Sequence, residues 1–567
     1  MVEGLSLGNL TVSGGLTRLT GGGSKLDTEA IVAAAYQARR LPAVRLEQRL
    51  TRNEARAAAL AELRGLLQEL QRTAAGLRNP PGLLGANENL FEAKQAFLTG
   101  AAGTAPAELV GVSVANRTAP GSFTLEITRL ATTHKLAAAP AGATDQTLAE
   151  AWNGGAPLAG SIEIGLAGGP KVAIEVAGTM RLDDLRAAIN AVTAQTGVAA
   201  SVLSVSATDR RLILTAVETS RAIELQDVDG DSLAGLIGAA SLQPPQTALV
   251  TVDGVAVERA GNRIDDVLAG VTLDLYRATP GSTIGVEIQP ALGTAKAAIA
   301  SFVSAYNDLR AFLARHSAVG PGGEVAEDAV LFGDRSLRGI AQTLGAIIGS
   351  AASGLPAGTL TTLRDVGITL EVGGRLRLDE ATLDARLLGR LGEVRAVFEF
   401  GAVASSGDLA VYARSNALSD LELTVAITDA DGDGRPEAAT LDGVPARIEG
   451  GLIVGELGTA YEGLKLIWTG RGSGTVELRL SQGVADRLHN ALGTVLEPSG
   501  GPIAQALAQI RDADEAMSRQ IERIEARAEQ TRRLLIERFA AMEKALSLAN
   551  TMLTQVRAQM DAMNRAD

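Results

Sequence analysis

Ile503–Met563 reads IAQALAQIRDADEAMSRQIERIEARAEQTRRLLIERFAAMEKALSLANTMLTQVRAQMDAM, and its periodicity decides the fold class. Ile503, Leu507, Ile510, Asp514, Met517, Ile521, Ile524, Ala528, Thr531 and Leu535 recur at alternating steps of four and three. A four-residue step then carries the stripe to Phe539, and alternation resumes through Met542, Leu546, Ala549, Leu553, Val556, Met560 and Met563. Such a repeat forms a seam on one helix face that needs a partner helix, and the extra four-residue step unwinds the seam locally. Arg519, Glu522, Arg523, Glu525, Arg527 and Glu529 supply a solvated outer face. No glycine or proline interrupts the run, which predicts one continuous helix.

The partner is expected from the other end of the chain. Ile31, Ala35, Ala38, Leu46, Leu50, Asn53, Ala57, Leu60, Leu63, Leu67, Leu70, Ala74 and Leu77 repeat at similar spacing. Asp27 or Thr28 is a suitable N-cap for a helix starting near Glu29, because a side-chain oxygen satisfies free amide donors there. Pro42 lacks a backbone donor and is expected to be a joint between two helical segments. Leu60, Leu63, Leu67 and Leu70 on one side, and Ile521, Ile524, Leu535 and Phe539 on the other, are the candidate packing residues of a two-ended helical leg. The plain alternative is a soluble protein with a terminal bundle.

Composition sets bounds. At 567 residues the chain holds several domains, at roughly 100–200 residues each. Hydrophobic residues make up 46% of it and aromatics only 3%, so its cores rely on Ala, Leu, Val and Ile. The net charge of −13, without a basic patch, argues against nucleic acid, whose phosphates require grouped Lys and Arg. The absence of cysteine excludes disulfides, thiol nucleophiles and sulfur-ligated metals. No run of about 18 apolar residues marks a membrane span. Residues 1–24 lack the pattern of a secretory signal, are rich in Gly, Ser and Thr, and are expected to be disordered.

The fold expected is α+β and multidomain: long terminal coiled-coil-like helices pair into a leg, with β-rich domains between them. The helical leg is assigned to 25–98 at the N-terminal side and 484–567 at the C-terminal side. A β-rich segment and connector follow at 99–159, a small α+β module at 160–240, and a β section at 246–290. A helix and mixed α/β section is expected over 291–400, with a hairpin near Gly373-Gly374. A β-rich stretch spans 411–480.

That last stretch carries Asp429-Ala430-Asp431-Gly432-Asp433-Gly434-Arg435-Pro436-Glu437. Carboxylates at positions one, three and five of a loop converge, and glycine at six permits the sharp turn that wraps a hard cation. Asp429, Asp431, Asp433 and Glu437 are the candidate calcium ligands. Position twelve is Thr440 and the flanks read as strands, so this is not an EF-hand. The competing reading is a solvated Asp/Gly turn. A second acidic run, Asp227-Val228-Asp229-Gly230-Asp231, lacks the glycine and reads as a turn. His134, His316 and His489 lie far apart, and neither a Gly-x-Ser-x-Gly elbow nor a Gly-Lys-Ser/Thr phosphate loop is present. Catalysis has little support, and the chain is not expected to be an enzyme.

LDTEAIVAA, then APGSFTLEITRLATTHKLA, resembles the N-terminal region of the flagellar hook-associated protein 2 family, the filament-capping proteins. TMRLDDLRAAINA with GVAASV and LILTA resembles a small repeat module of flagellar axial proteins. TVDGVAVERAGNRIDDVLAGVTLDL, FVSAYNDL, LRDVGITLEVGGRLRLDEATLDARL, GVADRLHNAL and ERFAAMEKALSLANTMLTQV resemble the family's later sections, in its order. The resemblance implies a homo-oligomeric ring, usually a pentamer, at the filament tip. There the legs dock into the polymer, and the ring promotes flagellin polymerisation and prevents loss of exported monomers. Implied partners are further copies of this chain, flagellin, other hook-associated proteins and a flagellar export chaperone. The implied location is the tip of the bacterial flagellum, reached through the export channel, and no cofactor is required apart from the candidate calcium. Lys25 stands where the family usually has glycine, and 411–480 looks inserted. Rival readings are another flagellar axial or hook-junction protein, and a secreted calcium-dependent adhesin, although the glycine-rich nonapeptide repeats of such proteins are absent.

Overall fold

Two helices of unusual length bracket the described residues, and every other described element except a short N-terminal hairpin lies between them in the chain. A computed structural model of the chain describes residues 10–13, 16–19, 27–79, 89–100, 103–228, 233–319, 322–415, 418 and 422–563. Within the opening 1–24, β1 (Leu10–Ser13) and β2 (Leu16–Leu19) pair as an antiparallel hairpin, where the sequence suggested disorder. Apolar and β-branched residues flanking Gly14-Gly15 give a local hairpin preference that composition conceals. The remainder of that stretch, Lys25, and most of the second acidic run lie outside the described residues.

The first long helix, α1 (Thr28–Ala75), is capped by Asp27, whose carboxylate accepts the Ala30 N–H at 2.9 Å. It runs unbroken through Pro42, so the expected joint is not a break. The carbonyl that loses its donor belongs to Ala38, an exposed residue, and exposure keeps the cost of the missing bond low. After a short turn at Leu90–Glu92, β3 (Lys94–Gly100) is a strand, so the helical leg stops short of the expected 98. Its alternating burial and its pairing with a strand far along the chain override any local helical preference.

The next strands are β4 (Val110–Val114) and β5 (Gly121–Arg129). A module follows: β6 (Thr133–Ala137), α2 (Leu148–Trp152), β7 (Ala159–Leu166), β8 (Lys171–Ala177), α3 (Leu182–Ala191), α4 (Thr193–Thr196), β9 (Val198–Ser206), β10 (Asp209–Thr219), β11 (Ile223–Asp227), α5 (Leu233–Ile237) and β12 (Ala240–Gln243). The chain then returns through β13 (Ala248–Val252), β14 (Val255–Arg259), β15 (Arg263–Leu268), β16 (Val271–Leu275) and β17 (Thr283–Pro290). Sheet order makes the organisation clear. A five-stranded sheet, β14-β13-β5-β17-β3, and a three-stranded one, β15-β16-β4, share a single core built from both flanks of the module. The module is therefore an insertion between β5 and β13, with its own core under the sheets β12-β6-β10-β9 and β11-β7-β8.

Beyond β17 come α6 (Leu292–Ser317), α7 (Arg335–Gly349), the hairpin β18 (Ile368–Leu370) and β19 (Leu376–Leu378), and α8 (Glu380–Phe398). An eight-stranded antiparallel sheet then occupies β20 (Phe400–Ala404), β21 (Leu409–Ala413), β22 (Glu422–Thr428), β23 (Ala438–Leu441), β24 (Val444–Glu449), β25 (Leu452–Val454), β26 (Lys465–Trp468) and β27 (Gly474–Gln482). Its order is β20-β27-β22-β23-β24-β25-β26-β21, so it starts and ends on consecutive strands around one apolar core. The chain closes with α9 (Val484–Leu496) and α10 (Pro502–Met563).

All the large helices meet in one core at the root of the leg. Leu60, Leu63, Leu67 and Leu70 of α1 are buried there with Phe302 and Tyr306 of α6, Leu488 of α9, and Ile503 and Ile510 of α10. Burying each leucine is worth about 1.5–3 kcal/mol relative to leaving it exposed. Scarce aromatics are concentrated here: Phe398 lies 5.9 Å from Phe91 and 6.2 Å, edge-on, from Phe302. Phe91 opens the path into β3, so this cluster ties the helices to the first β domain.

Candidate functional site

The candidate site has two parts: the paired terminal helices and the acidic loop. α1 and α10 run antiparallel along each other, and polar contacts fix their register. Asn53 donates to Asp514 at 2.6 Å, Arg40 donates to Glu525 at 3.0 Å, and the Arg532 guanidinium lies 6.0 Å from the Tyr36 ring centre. By that register Ile521 and Ile524 stand opposite Leu46 and the fully buried Ala43. Leu535 reaches the level of buried Val32, and Phe539 the level of Thr28, where α1 begins. Ile521, Ile524, Leu535 and Phe539 are half-buried along this seam.

The eight predicted packing residues therefore divide. Leu60 comes level with the first turns of α10, while Leu67 and Leu70 pass its start at Pro502 and pack in the root core beside α6 and α9. The two leucine-rich stripes belong to one leg but do not face each other along their full length. Past Phe539 no part of α1 remains to cover α10. Leu546, Met552, Leu553, Val556 and Met560 are exposed there, Met552 to 64%.

A charged junction joins the leg to the eight-stranded sheet, and sequence reading passed over it. The Asp486 carboxylate on α9 is fully buried and accepts from Arg78 at 3.2 Å, Gln482 at 3.2 Å and Asn490 at 3.3 Å. It also pairs with Arg414, just after β21, whose guanidinium stacks 4.1 Å from the Phe400 ring centre. Arg78 donates in turn to His489 Nδ1 at 2.8 Å. Burial, and then the Arg78 charge, depress the His489 pKa to about 4, so the ring is neutral at ordinary pH. Partners 72 and 408 residues from Asp486 leave no local signal; the only cue was charged residues within an otherwise apolar helix face.

The acidic loop joins β22 to β23 across a hairpin, as its strand-like flanks suggested. Carboxylate oxygens of Asp429, Asp431 and Asp433 lie within 4.8 Å of one another. Asp429 is buried and accepts from the N–H groups of Gly432 at 2.9 Å, Gly434 at 3.1 Å and Gly472 at 2.8 Å. Burial works against its charge, but those amides outweigh burial and hold its pKa below the usual value. Asp431 accepts from the Asp433 N–H and Asp433 from the Arg435 N–H. Gly432 and Gly434 take φ of +71° and +85°, the left-handed turn that brings the carboxylates together. Glu437 stands apart from the trio: its carboxylate accepts the Ala430 N–H at 2.9 Å. The donor set suits a hard cation in kind, but Asp429 already spends both oxygens on backbone amides.

Among the described residues, no helix is long and apolar enough to cross a membrane. The pattern described as Flagellar hook-associated protein 2 C-terminus matches residues 245–551, and that of the N-terminus matches 24–134. The Flagellin hook IN motif matches 161–218, within the inserted module. The chain is 30% identical over 221 residues to flagellar hook-associated protein 2 of Salmonella typhimurium, covering 36% of this chain and 46% of that one. It is 25% identical over 408 residues to the A-type flagellar hook-associated protein 2 of Pseudomonas aeruginosa, covering 67% and 80%. The crystal structure of the flagellar cap protein FliD D1-D2-D3 domains from Escherichia coli aligns with a TM-score of 0.45 at 24% identity, over 60% of this chain and 90% of that one. Because the C-terminal pattern alone takes in more than half of the chain, from β13 into the distal part of α10, the chain belongs to the flagellar hook-associated protein 2 family.

Proposed function

We propose that this chain is the cap of a flagellar filament: copies form a ring at the growing tip, most simply a pentamer, that retains exported flagellin and directs its polymerisation. The carrying observation is the family pattern over 245–551, which includes the α6–α9 part of the leg root and most of α10. The exposed apolar stripe beyond Phe539 supports this reading, since it is the length of helix with no cover in a single copy. In the cap it docks into the filament end, while the β domains form the plate. Flagellin, other hook-associated proteins and an export chaperone are the partners this role requires, and the export channel is its route out of the cell. No side chain is asked to make or break a bond. The test is the distribution of flagellin between cell-attached filaments and medium, with and without the gene. Deletion should leave hooks, abolish long filaments and spill monomeric flagellin; filaments of full length in the deletion strain would rule out capping.

A second reading concerns calcium. The convergence of Asp429, Asp431 and Asp433 supports a cation that stabilises the β22–β23 hairpin, with Glu437 joining only if it leaves Ala430. A calcium titration of the whole protein, followed by its melting temperature, decides this. A rise that Asp431→Asn abolishes supports the cation; an unchanged melting curve leaves an Asp/Gly turn.

A further inference from the structure

The inserted module contains a four-stranded sheet, β12-β6-β10-β9, whose two outer strands have no partner on their free sides among the described residues. Both are free of charge. β9 reads VAASVLSVS and β12 reads ASLQ. Charges stand on several other edge strands, Lys171 and Glu175 on β8, Glu258 and Arg259 on β14, Asp265 and Asp266 on β15, although β4, β20 and β21 are uncharged like β9 and β12. Charged residues and prolines are what normally keep an edge from pairing with another chain. β9 instead exposes Leu203 and Val205 to more than half, and β12 exposes Leu242 to 59%.

Strand polarity adds a constraint. β9 runs antiparallel to β10, β10 to β6, and β6 to β12, so β9 and β12 point in opposite directions at opposite sides of the same sheet. When a second copy is placed beside the first by rotation about an axis roughly along the strands, its β12 meets the first copy's β9 antiparallel. A ring requires this head-to-tail kind of contact, in which two different surfaces meet; two copies of one edge meeting face to face close a dimer and go no further. The register agrees. Through β10 and β6, Ala240 and Ser241 come level with the β9 segment around Ala200 and Ser201, one turn of the pleat from Leu203.

We propose that the β9 edge of one copy pairs with the β12 edge of the next, continuing the sheet from module to module around the ring. This rests on the ring-forming cap reading above and names the surface that joins its copies. Backbone hydrogen bonds give the pairing, with Leu242 inside the ladder and Leu203 and Val205 flanking its end, and the lack of charge on either edge leaves it unopposed. Pro244 and Pro245, directly after β12, limit the pairing to a short ladder.

The experiment uses the whole chain and native mass spectrometry with analytical ultracentrifugation. Leu203→Lys with Val205→Lys blocks the β9 edge, and Leu242→Lys blocks the β12 edge. All three residues are exposed, so the melting temperature of each variant should match that of the parent. Each variant alone should associate at least tenfold more weakly than the parent and form no rings. Mixed in equal amounts, the two should give pairs and nothing larger, since only one sound interface remains. Normal rings from the Leu242→Lys variant would show that the β12 edge is not part of the contact between copies, and would overturn the proposal while leaving the cap reading standing. A parent chain that stays monomeric at every concentration overturns the ring itself, and this inference with it.

Discussion

Two stretches of the leg share a sequence pattern and meet different fates. At the root, Leu60, Leu63, Leu67 and Leu70 are buried to within 1% of their surface. At the far end of α10, Leu546, Leu553, Val556 and Met560 repeat with the same spacing and stand in solvent. Nothing in the heptad-like repeat separates them, because a repeat states only that a face needs cover. What differs is the number of elements that reach the face. The root receives α1, α6, α7, α8, α9 and the first turns of α10, whereas the far end outruns α1 by more than twenty residues. One stretch has its partner within the chain, and the other has none there among the described residues.

The contrast breaks most sharply at the junction that fixes the root to the eight-stranded sheet. Asp486→Asn leaves Arg414, and in part Arg78, buried beside a neutral amide. Stripping one partner from a buried ion cluster costs about 3–5 kcal/mol. Urea unfolding should show that loss, and the first transition should involve the sheet between Phe400 and Gln482. A loss below about 1 kcal/mol would mean that the arginines find other acceptors and the root does not depend on the junction. Next comes Leu63→Ala, with an expected cost of about 2–5 kcal/mol from lost transfer energy and the cavity left behind. The same measurement reads it.

These two changes also mark what could be read from the sequence. Both long helices, the cap at Asp27 and the Gly373-Gly374 hairpin follow from local pattern, because each depends on neighbours within a few turns. The β domains were legible as strands but not as a fold. β5 pairs with both β13 and β17 across the whole inserted module, and no local signal records such a partner. β3 was read as helix for the same reason: its ladder partner lies in β17. At the candidate site the convergence of Asp429, Asp431 and Asp433 was legible from spacing, whereas the turn of Glu437 toward Ala430 was not. Asp486 and its arginines left only the faint cue of charge on an apolar helix face, since a buried charge looks like any surface charge until its neighbours are known.

Acidity sharpens the comparison at intermediate size. His489 sits among Arg78, Asp486 and Asn490, and its folded pKa is about 4, against roughly 6.5 when unfolded. Its neutral form therefore contributes stability that is fully present above pH 6.5 and is lost as pH falls from there toward 4, where the unfolded chain binds the extra proton. After allowance for partial solvent access, the loss should be on the order of 2 kcal/mol. His489→Gln should flatten that part of the curve of stability against pH, while the parent keeps its slope. Matching slopes would place the acid sensitivity elsewhere.

The smallest expected effect on stability belongs to the exposed end. Leu553→Asp removes an apolar side chain that touches little, and a surface change of this kind moves stability by about 0.5 kcal/mol or less. Its effect on assembly should be large, because a charge would then have to enter the contact that covers the stripe in the filament. Ile521→Asp lies between the extremes: half-buried against α1, it should loosen the leg and weaken assembly while the β domains keep their own transition. Calorimetry and filament length, measured on Leu63→Ala, Ile521→Asp and Leu553→Asp together, should therefore run in opposite directions along the leg. Stability recovers toward the tip while length per unit of stability lost falls. If Leu553→Asp leaves filaments at full length, the exposed stripe is not a docking surface, and the two halves of the leg differ in cover without differing in role.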